Sequence, residues 1–117
     1  MGEFGTHVRQ VREARRAGDR RYSLRQVAGR VGVEPAYLSK VERGETMPPG
    51  EETIRKLAAD LGEDVDVLLA LAGKVSTDLK EIILRRPRLF ADLLRELKAV
   101  PDHAIVRLVR EVRDGDW

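Results

Sequence analysis

Gly18, Gly32, the run from Gly44 to Gly50 with Pro48-Pro49, Gly62 and Gly73 punctuate this chain, and these stops limit each regular element to a few turns. Nearly every segment between them places apolar residues at i, i+3 or i+4 and i+7, one stripe per segment. A first helix is expected from about Thr6 to Ala17, with Val8 and Val11 inward and Arg9, Arg12, Arg15 and Arg16 largely outward. Ser23 is a good N-cap for a second helix, which carries Leu24, Val27, Ala28 and Val31 on one face. Pro35 suits the first turn of a third helix that buries Leu38 and Val41. A fourth is expected over about Glu52 to Leu61, its first turn acidic as the helix dipole favours, and a fifth over Val65 to Leu71. Three more amphipathic segments follow Gly73. Ser76 or Thr77 caps one holding Leu79, Ile82 and Ile83, and Pro87 begins one holding Leu89, Phe90, Leu93, Leu94 and Leu97. Pro101 begins the last, with Ile105, Leu108, Val109 and Val112. Aromatic residues are only 4% of the chain, so the core must be built from Leu, Val, Ile and Ala, which fits small helices better than a sheet. The expected fold class is all-α.

Several chemistries are excluded or disfavoured. The absence of cysteine rules out disulfides and thiolate metal sites. No apolar run approaches the ~18 residues of a membrane span, and the N-terminus lacks a signal-peptide apolar region, so a cytoplasmic protein without membrane contact is expected. His7 and His103 stand isolated, each reading as a surface residue. The cluster Glu63-Asp64-Asp66 lacks the spacing of a calcium loop and reads as helix N-terminal charge. With no phosphate-binding glycine loop or nucleophile elbow, no enzyme activity, metal or cofactor is expected.

The net charge of +2 says little, but its distribution says more. Residues 1–43 hold 10 Lys and Arg against 5 Asp and Glu, whereas residues 44–73 hold 2 against 7. A basic first third beside an acidic stretch fits a chain that turns one face to a polyanion, although solvated helices read the same way.

The stretch SLRQVAGRVGVEPAYLSKVERG, residues 23–44, is the most informative. Two helices crossing steeply need a small residue where they touch, which is Ala28, and a turn residue free to take positive φ, which is Gly32. Val27, Val31, Val33, Leu38 and Val41 then face one shared core. Glu34, Ala36, Tyr37, Ser39, Lys40 and Arg43 are left outside on a short helix with a basic end, able to enter a major groove ~12 Å wide.

This segment resembles the helix-turn-helix of the Cro/CI phage-repressor class, the XRE family. The matching residues are Val27-Ala28, Val31-Gly32-Val33 and Tyr37-Leu38-Ser39-Lys40-Val41-Glu42-Arg43-Gly44. Pro49, Glu52-Thr53-Ile54, Leu57-Ala58, Leu61-Gly62 and Leu68-Leu69 continue the pattern, so the resemblance covers roughly residues 6–72. It implies a five-helix lambda-repressor-like DNA-binding domain over residues 1–73, with residues 74–117 as a helical extension. It further implies that Ala36, Tyr37 and Lys40 face base edges, with Glu34 able to accept from cytosine at the helix start. Ser39, Arg43, Ser23 and Arg25 are the implied phosphate contacts. The alternative readings are Tyr37 packing on the turn, Arg43 as a helix C-terminal charge, and Glu34 as a dipole partner only. Glu42 reads as structural, pairing a nearby arginine or capping the following loop. Two departures stand out. Leu24 occupies the place of a backbone-binding glutamine, and the loop Gly18-Asp19-Arg20-Arg21-Tyr22 is longer than the family's. Arg20 and Arg21 in that loop are either an extra clamp on the DNA backbone or solvated charges.

The resemblance implies a sequence-specific transcriptional regulator that binds double-stranded DNA, a repressor where operator binding excludes polymerase. The apolar stripes after Gly73 need a covering surface, because helices this short are marginal alone. They form a homodimer, bind another protein, or extend the core of the same chain. An antitoxin, whose C-terminal helices would bind a toxin while the DNA-binding unit regulates its own expression, is the alternative function. An adaptor that recruits partners without reading DNA is a third.

Overall fold

The structure is a computed structural model, and it describes residues 3–117. Its elements are α1 (Glu3–Arg16), a 3₁₀ turn (Arg20–Tyr22), α2 (Leu24–Val31), α3 (Pro35–Glu42), α4 (Glu51–Leu61) and α5 (Val65–Leu71). Then come α6 (Thr77–Arg85), α7 (Pro87–Leu97) and α8 (Asp102–Asp114), with no strand among the described residues. The fold is all-α, five helices followed by a helical extension. No helix among the described residues is long and apolar enough to cross a membrane. The chain divides into two compact units between Ser76 and Thr77.

In the first unit each helix gives residues to one core. These are Phe4 and Val8 from α1, Val27, Ala28 and Val31 from α2, and Leu38 and Val41 from α3. Ile54, Leu57, Ala58 and Leu61 from α4 and Leu68 and Leu69 from α5 complete it. The local signals act as expected. The Ser23 hydroxyl accepts from the Gln26 N–H at 3.2 Å and starts α2. Gly32, at φ +85°, ends it, and the Gly32 and Val33 N–H groups both donate to the Ala28 carbonyl. Asp64 accepts from the N–H groups of Asp66 and Val67 and starts α5, so this carboxylate is a helix cap.

Two features of α1 differ from expectation. It begins at Glu3 rather than Thr6, because Phe4 is buried and anchors an additional turn. Arg12, expected outward, is 4% exposed, because Glu42 from α3 meets its guanidinium inside the fold. Nor is His7 isolated, since its Nε2 lies 2.7 Å from the Glu63 carboxylate, half-buried between α1 and the α4–α5 turn.

Gly5 explains how closely α1 approaches α3. A Cβ there would collide with the Val41 carbonyl oxygen and lie 2.9 Å from that of Glu42. Alanine would gain about 1 kcal/mol in helix propensity but would wedge the two helices apart. Gly5→Ala is therefore expected to destabilise the unit by a net ~1–2 kcal/mol. A urea denaturation midpoint at or above that of the native chain would contradict this contact.

The second unit is built differently. None of its residues, Thr77–Trp117, is buried. Ile83, Phe90, Leu97, Ile105 and Leu108 are half-buried, whereas Leu84, Leu89, Leu94 and Val109 are 73%, 66%, 56% and 53% exposed.

Candidate nucleic-acid interface

The α2–turn–α3 segment is fixed to the rest of the first unit from both sides. Beneath it Val27, Ala28, Val31, Leu38 and Val41 are no more than 3% exposed. At the end of α3, Arg12 grips Glu42 in a two-pronged ion pair, Nε to Oε2 at 2.7 Å and Nη2 to Oε1 at 2.8 Å. The Arg12 Nη1 group also donates to the Tyr22 carbonyl at 3.2 Å, so one side chain joins α1, α3 and the 3₁₀ turn. The hydrogen bond to Glu42 raises the Arg12 pKa above its ordinary value against the opposing effect of burial. Glu42 thus has its structural partner, and it comes from α1.

Above this support lie the residues expected to meet bases. Ala36 and Lys40, one helical turn apart on α3, are both exposed. Lys40 forms no ion pair among the described residues, and its charge helps hold the Glu45 carboxyl below its ordinary value. Glu34 is exposed at the N-cap position of α3, and its carboxylate makes no capping hydrogen bond there. Tyr37 is half-buried, its ring packed against the core, so only part of it faces outward.

The residues expected at phosphates differ in how free they are. Arg20 and Arg25 are exposed and have no acidic partner among the described residues. The Ser23 hydroxyl is engaged as the cap of α2. Arg43 is tied on both sides, donating to Glu45 Oε2 at 2.6 Å and to the Ser39 hydroxyl at 2.6 Å. That contact raises the Arg43 pKa and lowers that of Glu45. Arg21 forks onto Asp19, and its hydrogen bonds hold the Asp19 carboxyl down to about 2. Since Asp19 also accepts from the Arg21 backbone N–H, the longer loop is an organised turn. The guanidinium groups of Arg15 and Arg30 each lie over the Tyr22 ring, 5.6 and 5.3 Å from its centroid. Arg30 is further held by Asp60 on α4 at 2.6 Å. The loop therefore carries Arg20 and Arg21 on a braced platform.

The sequence profile of a helix-turn-helix domain matches residues 3–71. Among curated proteins, an uncharacterized HTH-type transcriptional regulator of Bacillus subtilis (strain 168), RghRB, is 39% identical over 82 residues, 70% of this chain. The match covers 55% of that relative, so the chain spans about half its length. A solved SinR protein/SinI protein complex aligns over 83% of this chain and 99% of the matched chain, at 23% identity and a TM-score of 0.49.

Proposed function

Because the chain belongs to the helix-turn-helix domain family, we propose that it is a sequence-specific DNA-binding transcriptional regulator, a repressor that lays α3 in the major groove. The observation that carries this reading is the outward row of α3. Ala36 and Lys40 stand exposed on a helix whose opposite side is fully buried. In this reading Lys40 donates to guanine O6 and N7, Ala36 touches a thymine methyl, and Glu34 and the free part of Tyr37 border them. Arg25 and Arg20 meet phosphates directly, and the Ser23 hydroxyl donates to one while its oxygen still caps α2. Arg21, Ser39 and Arg43 do so by exchanging an internal partner for a phosphate oxygen.

The DNA-binding domain is residues 1–73, and the helices after it bring two copies together. The exposure of Leu89 and Leu94 on α7 and of Val109 on α8 supports a second copy as the cover. A homodimer would present two copies of α3 to two half-sites. Sedimentation of the full chain with a duplex from its own upstream region tests both parts. Two chains per duplex are expected, and Leu89→Asp with Leu94→Asp should give monomers that bind that duplex at least tenfold more weakly. Monomers of the native chain at concentrations that saturate the duplex would overturn the dimer. A tight one-to-one complex with a toxin through these same faces would favour the antitoxin reading instead.

A further inference from the structure

Glycine turns the chain out of both α3 and α5, at Gly44 with φ +71° and at Gly73 with φ +74°. Between these two helix ends and the first turn of α1 lies an open groove of about 910 Å³. Phe4 and Val41, each 3% exposed, form its floor, and the half-buried Leu71 and Pro48 its sides. Met47 stands at the rim, 82% exposed. The volume lies within the ~300–1,000 Å³ common for small-molecule sites. An occupant would press on the joint between α1 and α3 that Gly5 makes so close.

The charge of this groove is as distinct as its shape. The chain has 22 Lys and Arg among 117 residues, yet among the described residues no Lys, Arg or His lines the groove. Its charged side chains are Glu3 and Glu45. Arg43 engages Glu45, but Glu3 is exposed and forms no ion pair among the described residues. The C-terminal ends of α3 and α5 add partial negative charge. The N-terminal end of α1 opposes them, and Glu3 in its first turn offsets that end. The balance is negative potential over an apolar floor. An anion is repelled there, and a neutral apolar molecule leaves the carboxylates without a partner. An inorganic cation gains nothing from Phe4 or Leu71. Met47, unbranched and polarisable, can fold onto an apolar body of varied shape.

We propose that this groove is a binding site for a small organic cation, an ammonium or guanidinium head carried on an apolar body. Glu3 receives the head, and Leu71 and Met47 cover the body. The site does not depend on the DNA-binding reading above.

The test titrates the full chain, labelled with nitrogen-15, with hexylammonium at constant ionic strength. Saturable binding with a Kd of about 1 mM is expected for so small a ligand. Amide shifts should concentrate at Gly5, Gly44, Gly73 and their chain neighbours. Hexanol should bind about fivefold more weakly, and methylammonium and hexanoate should not bind. Glu3→Gln should weaken hexylammonium to the level of hexanol, while the remaining amide shifts stay native. Met47→Ser should weaken hexylammonium and hexanol alike, by about twofold. Shifts scattered over the surface, or no saturation below about 20 mM, would overturn the site. Equal binding of hexanol would leave only an apolar groove, and equal binding of methylammonium only a surface ion. Binding of hexanoate, or native affinity in Glu3→Gln, would equally contradict the proposed cation.

Discussion

Glu42→Ala is expected to cost the first unit about 3–5 kcal/mol, because it leaves the Arg12 guanidinium buried without its counter-charge. The Arg12 and Glu42 side chains are only 5% and 4% exposed, and neither can recover its solvation without opening the fold. Arg12→Ala should cost a similar amount, since it also removes the donor to the Tyr22 carbonyl. In a unit of this size, such a loss lowers the thermal midpoint by more than about 10 °C. The paired replacement Arg12→Met with Glu42→Leu should come much closer to native stability, because it removes both charges together and keeps the volume filled. Calorimetry of the three variants checks this. A Glu42→Ala midpoint within two or three degrees of native would mean that the pair is solvated and does not brace α3. The Arg12 pKa is raised, so the guanidinium holds its charge, and its share of the stability is lost only as the pH climbs to alkaline extremes.

Lys40→Ala should reduce affinity for the selected DNA site by ~1–3 kcal/mol while leaving affinity for scrambled DNA nearly unchanged. The side chain is exposed and supports nothing beneath it, so stability should stay within ~0.5 kcal/mol of native. Discrimination should relax at one base pair in each half-site, the pair whose guanine Lys40 contacts. Fluorescence anisotropy on single-base variants of the site measures this directly. An equal loss on selected and scrambled DNA would make Lys40 a phosphate contact and shift base reading to Ala36, Tyr37 and Glu34.

The sequence made the local architecture legible. Ser23, Gly32, Pro35 and Asp64 act on backbone groups within three or four residues, so α2, α3 and α5 could be bounded from their own segments. What escaped depends on residues far apart along the chain. Phe4 extends α1 because a pocket built by other helices receives it. Arg12 has the pattern of an outward residue on an amphipathic helix, and only Glu42, 30 positions away, makes its burial tolerable. Gly5 has no sequence signal beyond an unfavourable glycine within a helix, and its meaning lies in the nearby α3 backbone. The candidate interface was legible in the same partial way. The exposure of Ala36, Lys40 and Arg25 follows from helical periodicity, and that of Arg20 from its place in a loop. The ties of Arg43 to Glu45 and of Arg21 to Asp19 are short-range, but nothing in the pattern announced them.

In the proposed complex two copies of α3 read one defined DNA sequence. Selection from a randomised duplex library with the purified full chain tests it most directly. The expected result is one enriched motif of two inverted half-sites, their centres about 10–10.5 base pairs apart or a multiple of that. Recovery of no enriched sequence, from a chain shown to be folded, would contradict it.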